Sequence, residues 1–237
     1  MAEYTLHDPK RLRGERREVA VLIADAVNFT PLSASLDAEA VFDLINDLLG
    51  RLVSCVHRYD GMVDKFTGDG LLAVFGAPVA NENDTEMAVR AALDMQTAAA
   101  EFAPIARAQV GAPLQIRIGI HTGPVTAGIL GTQEQAAYTV IGETVNMAAR
   151  LESLAVPGHI IVSSRVHVQT QALFDFQEMG NIQVKGFDQP IAIYEVIQGR
   201  AAPAPTRGIP GVSAVFLGRE TELSVLQELL KTFLVQG

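Results

Sequence analysis

The stretch from Val63 to Phe75, with sequence VDKFTGDGLLAVF, decides the fold of the first half of this 237-residue chain. It predicts two short apolar strands joined by a tight turn, because the glycines on either side of Asp69 tolerate the backbone angles that such a turn requires. A second apolar run, Val19-Ala-Val-Leu-Ile-Ala-Asp25, predicts another strand that ends in a carboxylate. If a sheet pairs these segments, Asp25 and Asp69 come together at one edge.

Two adjacent carboxylates repel each other unless a cation lies between them. Their hard oxygen atoms suit Mg²⁺ or Mn²⁺, and such ions take their remaining ligands from water and from phosphate groups. The pair Asp25 and Asp69 therefore predicts a site for a metal-bound nucleotide. The alternative is that Asp25 caps a helix and that Asp69 only shapes its turn, and either residue alone would favour that interpretation.

Composition limits the class of protein. With 49% hydrophobic residues, the chain has enough apolar material for one good-sized domain and a small appendage. Its apolar runs are far shorter than the roughly 20 residues that span a bilayer, so we expect a cytoplasmic protein with no membrane partner. The net charge of −9 argues against nucleic-acid binding. The single cysteine, Cys55, excludes an internal disulfide and is expected to be buried and structural.

Hydrophobic periodicity predicts an α+β fold. Apolar residues at helical spacing follow Asp37, and an alanine-rich helix follows Asn83. We expect strands at 114–121 and 124–130, with Thr122-Gly123 as the turn between them. Strands that alternate with helices in this order favour a sandwich in which helices pack on a mainly antiparallel sheet.

The chain divides into four predicted segments. Residues 1–17 form a polar tail, residues 18–198 the folded domain, residues 199–215 a linker rich in Pro and Ala, and residues 216–237 a helical segment. The last segment contains Phe-Leu-Gly-Arg-Glu and resembles the lead-in to a P-loop ATPase module, although no GxxxxGK[ST] motif follows it. It is either the start of a downstream ATPase module or a C-terminal docking helix.

Three motifs carry a resemblance to a known family. VDKFTGDG, ADAVNFT (residues 24–30) and YTVIGETVNMAARLE (residues 138–152) resemble the class III adenylyl and guanylyl cyclases, and the resemblance covers about residues 15 to 197. It implies a ferredoxin-like βαββαβ core and identifies residues 18–198 as the catalytic domain. It also implies that Asp25 and Asp69 hold two divalent cations, Mg²⁺ or Mn²⁺.

The residues after the first carboxylate are expected to bind phosphate. Asn28, Phe29 and Thr30 follow Asp25 at a strand-to-helix turn, where free backbone N–H groups can donate to phosphate oxygens. The family usually has Gly at the position of Asn28. Because Asn tolerates left-handed backbone better than most residues, we expect the loop to keep its shape.

Lys65 and Thr139 match the positions that select the base in the cyclase family. An ammonium can donate to the ring nitrogen of adenine, and a hydroxyl oxygen can accept from its amino group. Guanylyl cyclases have Glu and Cys at these two positions in place of Lys and Thr, so the pair in this chain favours ATP. Thr in place of the more usual Asp also implies the subgroup that includes bicarbonate-responsive cyclases. Without the resemblance, both residues would be interpreted as ordinary strand residues.

Three further residues, an asparagine and two cationic side chains, complete the expected site. Asn146 and Arg150 are spaced i and i+4, which places them on one face of a helix. The resemblance implies that Asn146 orients the ribose, that Arg150 offsets charge on the α-phosphate, and that Lys185 contacts the terminal phosphates. The alternative for Arg150 is an ion pair with Glu152.

The resemblance therefore implies an adenylyl cyclase that converts ATP to 3′,5′-cyclic AMP and pyrophosphate. In the family, the metal carboxylates come from one subunit and the base-selecting residues from the other. Since this chain carries both sets, we expect a homodimer with two shared sites, and bicarbonate is an expected regulator. The rivals are a cyclase with relaxed or guanine preference and a module that senses nucleotides without turning them over.

Overall fold

The structure is a computed structural model that describes residues 14–27, 38–110, 114–132, 136–183 and 190–201, together with 224, 225 and 228; the side chains of 109 and 110 are not described. The chain forms two compact units, Met1–Pro203 and Ala204–Gly237. In the second unit, the three described residues are helical. Most of the predicted tail, linker and C-terminal segment lies outside the described residues, so these boundaries stay predictions.

The described residues form eight strands and four helices. The strands are β1 (Glu15–Val27), β2 (Met62–Phe66), β3 (Gly70–Phe75), β4 (Gln115–Gly131), β5 (Ala136–Ile141), β6 (Ile160–Ser163), β7 (Phe174–Ile182) and β8 (Ile191–Gly199). The helices are α1 (Ala38–Arg58), α2 (Asp84–Val110), α3 (Glu143–Leu154) and α4 (Ser164–Thr170). Asp37, the predicted start of α1, lies outside the described residues.

The strands form one mixed sheet with the order β2-β3-β1-β4-β6-β8-β7, and β5 pairs with the far end of β4. Among the described pairs, β4 and β6 alone run parallel. The first six elements follow the order β1, α1, β2, β3, α2, β4, and their strands lie side by side as β2-β3-β1-β4. This is the ferredoxin-like arrangement, so the predicted α+β fold is confirmed.

The predicted turn at Thr122-Gly123 is wrong. Both residues lie inside β4, opposite Ala20 and Val19 of β1, and β4 runs without interruption from Gln115 to Gly131. Pairing along the whole of β1 outweighs the local turn preference of the Thr-Gly-Pro sequence. The glycine has a packing role, because a Cβ at Gly123 would lie 2.9 Å from Thr144 Oγ1 on α3.

The sheet is covered on both faces. Helices α1 and α2 pack on one face, and their largest fully buried side chains include Leu48, Leu52, Met95 and Phe102. Helix α3 packs on the opposite face, where its residue Ala148 lies in a cluster with Val21 and Val74. None of the helices among the described residues has both the length and the apolar character needed to cross a membrane.

Candidate active site

The antiparallel pairing of β1 with β3 brings the two predicted carboxylates together. Asp25 lies opposite Gly70, so Asp69 at the preceding turn position is its neighbour. The turn depends on Gly68, whose φ of +82° lies in the left-handed region. Burial raises the pKa of the Asp69 carboxyl, and the negative charge of Asp25 raises it further. The two side chains therefore form one electrostatic unit.

Gly70 allows this close approach. A Cβ at this position would lie 2.9 Å from Asp25 Oδ1 and 2.9 Å from Thr67 Oγ1, and nearer still to the carbonyl oxygen of Ala24. Backbone and side-chain oxygens thus occupy the space that a side chain would need. The glycine after Asp69 is consequently required for the carboxylate of Asp25 to lie against the hairpin.

Arg117 supports the carboxylate pair from the neighbouring strand. It lies opposite Asp25 in the pairing of β1 with β4, and its Nη2 donates to Asp25 Oδ2 at 3.2 Å. Its Nε forms a short ion pair with Glu152 Oε1 on α3. Burial raises the pKa of the Glu152 carboxyl, while the charge of Arg117 lowers it and that of Asp25 raises it. The arginine therefore links the carboxylate pair at this edge of the sheet to α3.

The donor set of this edge fits a hard divalent cation. The carboxylates of Asp25 and Asp69 supply oxygen atoms, which Mg²⁺ and Mn²⁺ prefer. The raised pKa of Asp69 indicates that its charged form lacks full compensation from the surrounding protein. Within the described part of the chain, no group of three or more His, Cys, Asp or Glu side chains could hold a metal ion.

The predicted base-selecting residues meet across two strands. Lys65 Nζ on β2 donates to Thr139 Oγ1 on β5 at 3.3 Å, although 74 positions separate them in the chain. Between them lies Asp64, whose side chain is fully buried. Its Oδ2 lies 3.0 Å from Lys65 Nζ and accepts from Thr139 Oγ1 at 3.0 Å. The structure thus places an ammonium and a hydroxyl side by side on a common carboxylate.

Asn146 and Arg150 lie one turn apart on α3. Asn146 is exposed and Arg150 is half-buried, whereas Met147 and Leu151 of the same helix are buried against the sheet. Both predicted residues therefore belong to the outer side of α3. The alternative partner for Arg150, Glu152, is engaged by Arg117.

Four predicted site residues lie outside the described residues. They are Asn28, Phe29 and Thr30, which follow β1, and Lys185, which lies between β7 and β8. Their expected contacts with phosphate groups stay predictions.

Two titratable residues outside the candidate site lie in the interior. Cys55 on α1 is buried, and burial raises the pKa of its thiol. His121 on β4 is also buried, with its Nδ1 2.7 Å from Ser163 Oγ, and burial together with the charge of Arg165 lowers its pKa to about 4. Both environments are those of packed structural side chains.

Sequence reasoning missed Arg117 and Asp64. Arg117 stands between the buried residues Ile116 and Ile118, and a charge within a buried run is a signal of a specific partner. Asp64 is part of the stretch Val63 to Phe75, but a single charge beside Lys65 is also typical of a solvated strand end. Only its contacts with β5 show that Asp64 is a buried side chain with specific partners and not a solvated one at a strand end.

The chain is similar to characterised cyclases. Residues 13–198 match the family model described as "Adenylate and Guanylate cyclase catalytic domain". Adenylate cyclase 1 of Rhizobium meliloti (strain 1021) is 32% identical over 184 residues, which are 77% of this chain and 28% of that protein. The chain thus spans about a third of the length of the curated relatives that it matches.

Solved structures agree with the sequence match. The crystal structure of the adenylyl cyclase CyaB from P. aeruginosa has a TM-score of 0.77 and 36% identity, covering 80% of this chain and 98% of that one. The crystal structure of the guanylyl cyclase Cya2 has a TM-score of 0.73 and 30% identity, covering 84% of this chain and 98% of that one. The fold, the motifs and the match over residues 13–198 together show that this chain belongs to the family of class III adenylyl and guanylyl cyclase catalytic domains.

Proposed function

We propose that this chain is an adenylyl cyclase domain that converts ATP to 3′,5′-cyclic AMP and pyrophosphate. The observation that supports ATP most directly is the 3.3 Å contact between Lys65 Nζ and Thr139 Oγ1. Similarity alone does not decide the base, because both an adenylyl and a guanylyl cyclase have the same fold with similar identity. The choice between ATP and GTP therefore rests on these two side chains.

The pair complements the edge of adenine. The Lys65 ammonium donates to the unprotonated ring nitrogen N1, and the Thr139 oxygen accepts from the 6-amino group. Guanine presents a protonated N1 and a 6-oxo group at the same positions. The Lys65 donor would then face the N1–H donor, and the Thr139 acceptor would face the 6-oxo acceptor. A mispaired buried polar group costs on the order of 1 to 3 kcal/mol, which corresponds to roughly a tenfold or greater preference.

The reaction is an in-line displacement at the α-phosphorus. The ribose 3′-oxygen forms a bond to the phosphorus, its proton is released, and the bond to pyrophosphate breaks. Asn146 would orient the ribose, and Arg150 would offset the negative charge that develops on the α-phosphate oxygens. Both lie on one side of α3, consistent with action on adjacent parts of the substrate.

The phosphate and metal contacts complete the proposal. Asp25 and Asp69 would hold two divalent cations, Mg²⁺ or Mn²⁺, which lower the pKa of the ribose hydroxyl and offset charge on the leaving group. The backbone N–H groups of Asn28, Phe29 and Thr30 would donate to phosphate oxygens.

Lys185 would contact the terminal phosphates as a point charge. The roles of Lys185 and of the loop at residues 28–30 are carried by the family resemblance, since these residues lie outside the described part of the chain.

We further propose that two copies of the chain share each site. The base-selecting pair is bordered by large apolar side chains at the surface: Phe66 is 56% exposed, Leu130 60% and Ile141 55%. Such a group of exposed apolar side chains is typical of a surface that another protein covers. A symmetric dimer would cover this surface on both subunits and would form two equivalent sites.

One experiment tests the reaction and the metal ligands. The purified chain is incubated with ATP or GTP and Mg²⁺ or Mn²⁺, and cyclic nucleotide is separated and quantified at several protein concentrations. We expect cyclic AMP as the main product and a specific activity that rises with protein concentration. Asp25→Ala and Asp69→Ala should each abolish turnover while the fold is retained, as judged by circular dichroism.

Mixing two inactive variants tests the shared site. Asp25→Ala mixed with Arg150→Ala should regain partial activity, because one of the two sites in the mixed dimer has both intact halves. Each variant mixed with itself is the matched control. No recovery after verified subunit exchange would contradict the shared site.

The rival functions have distinct outcomes. Nucleotide binding without cyclic product would favour a sensing module, and faster use of GTP would favour a guanylyl cyclase. Stimulation by bicarbonate, a cytoplasmic location and a downstream ATPase module are further proposals that rest on the sequence alone.

A further inference from the structure

Asp64 occupies an irregular position in β2. The pairing of β2 with β3 runs from Val63 opposite Ala73 directly to Lys65 opposite Leu72, so Asp64 has no opposite residue. This is a β-bulge, which inserts one residue and redirects the side chains around it. Bulges are frequent beside functional sites for this reason. The bulge lets Asp64 and Lys65, which are adjacent in sequence, approach each other to 3.0 Å through their side chains.

The redirected carboxylate joins two strands that belong to different parts of the sheet. β2 pairs with β3, and β5 pairs with β4. Asp64 Oδ1 accepts from the backbone N–H of Val140 on β5 at 3.2 Å, and Oδ2 accepts from the hydroxyl of Thr139 at 3.0 Å. The bulge therefore fixes the position of Lys65 relative to Thr139.

These contacts also fix the direction of a proton. A threonine hydroxyl has one proton and can act as donor or acceptor, so Thr139 alone could serve either an amino group or a carbonyl group. Its proton is directed to Asp64, which as a carboxylate can only accept. The hydroxyl oxygen is then left to act as an acceptor. Adenine offers a 6-amino donor to that oxygen, whereas a 6-oxo purine offers an acceptor.

We propose that Asp64 is a positioning residue that makes Thr139 an obligate hydrogen-bond acceptor and thereby selects 6-amino purines over 6-oxo purines. The inference rests on the proposed cyclase function and adds a residue that acts through the base-selecting pair. Asp64 itself is fully buried beneath the pair. Its effect is therefore on selectivity between substrates and not on the reacting atoms.

The first test replaces the carboxylate by an amide of the same shape. In Asp64→Asn, the amide oxygen can still accept from the Val140 N–H, and the amide nitrogen then donates to Thr139 Oγ1. The threonine hydroxyl can then donate its hydrogen bond to the base. We expect the ratio of kcat/KM for ATP to kcat/KM for inosine triphosphate, which carries a 6-oxo group, to fall roughly tenfold. An equal loss for both nucleotides would show a structural role only and would overturn the proposal.

A double variant identifies the route of the effect. If Asp64 acts through the hydroxyl, Asp64→Asn should leave the ATP to inosine triphosphate ratio unchanged when Thr139 is already Val. Asp47→Asn, which changes an exposed aspartate on α1, is the control and should leave the ratio at the wild-type value. A full effect of Asp64→Asn in the Thr139→Val background would contradict the proposal.

A second test keeps Asp64 and so does not depend on how its variant folds. Inosine triphosphate is compared with purine riboside triphosphate, which has no group at position 6. An acceptor-only hydroxyl repels the 6-oxo group, so Thr139→Val should raise the use of inosine triphosphate relative to the unsubstituted purine. A hydroxyl that donates would give the opposite change, which would overturn the proposal. Wild-type protein that formed no cyclic AMP would instead refute the proposed function, on which the inference depends.

Discussion

Gly119 on β4 lies directly against the backbone of α3. The variant Gly119→Ala therefore tests how strongly the activity depends on this packing. A Cβ at this position would lie 2.7 Å from Glu152 Cα and closer still to Glu152 N and Ala148 O, all of them backbone atoms of α3. Ordinary van der Waals contact begins at 3.4 Å, so clearing Glu152 Cα alone requires a shift of about 0.7 Å, and the two nearer atoms require a larger one. No side-chain rotation can relieve this contact.

The shift should reduce both activity and stability. Helix α3 carries the proposed catalytic residues Asn146 and Arg150, and a displacement of about 1 Å at catalytic groups can cost roughly a hundredfold in rate. Overpacking of this kind typically costs about 1 to 3 kcal/mol of unfolding free energy. We therefore expect Gly119→Ala to lower kcat for cyclic AMP formation by roughly tenfold to a hundredfold and to lower the urea midpoint.

The matched control is Gly50→Ala on α1, where a Cβ would meet nothing within 4 Å. Because alanine is the better helix residue, this variant should gain about 0.5 to 1 kcal/mol of stability and keep its activity. Activity is assayed at a temperature where both variants are folded by circular dichroism. Near-normal turnover of folded Gly119→Ala would refute the argument that the close approach of α3 positions the catalytic groups.

The remaining predictions concern charge, base choice and regulation. Arg117→Gln should lower the unfolding free energy by about 1 to 3 kcal/mol at pH 8, because buried Glu152 loses its ion-pair partner. The loss should be smaller at pH 5, where Glu152 takes up a proton more readily. Equal losses at both pH values, measured by urea unfolding, would contradict this prediction. The pKa of Asp69 is raised in the folded state, so the wild-type protein should lose stability as pH rises from 3.8 through that raised pKa. In thermal melts without metal, Asp69→Asn should lack this loss. Curves of melting temperature against pH that run parallel for the two proteins would refute this prediction. Lys65→Glu with Thr139→Cys should reduce kcat/KM for ATP roughly tenfold or more and shift preference toward GTP; an unchanged preference in the folded variant would show that the base binds elsewhere. Bicarbonate at fixed pH and ionic strength should raise kcat more than it changes KM, with chloride as control, and a response to pH or salt alone would contradict the subgroup assignment.

The first half of the fold could be predicted from sequence because its signals are local. The apolar run before Asp25 lies in β1 and the run after Asp69 forms β3, with Asp25 near the end of β1 and Asp69 directly before β3. Pairing of the two runs then brings them together without further information. The site residues Lys65 and Thr139 required the family resemblance, since nothing in either strand alone indicates a partner 74 positions away.

The errors and omissions have a common physical cause in long-range pairing. Thr122-Gly123 has the composition of a turn, but its pairing with β1 keeps the chain extended. Arg117 acquires its role because the register places it opposite Asp25, and Asp64 because a bulge turns it toward β5. Register and bulge position are properties of the assembled sheet, and a single sequence carries only weak signals for either.

The acidic side chains of the site differ in how the chain compensates their charge, and that difference separates their roles. The carboxylate of Asp64 accepts from two donors on β5 and lies against Lys65, so its environment already suits an anion. Glu152 is buried but forms an ion pair with Arg117. Burial and the charge of Asp25 raise the pKa of Asp69 as well as that of Glu152, and Asp69 lies beside Asp25 at the hairpin turn. A carboxylate with satisfied donors holds its neighbours in place, whereas one with an uncompensated charge gains most from a bound cation. This contrast supports the proposed roles of Asp64 in positioning and of Asp69 in metal binding, although the two residues lie five positions apart in the same hairpin.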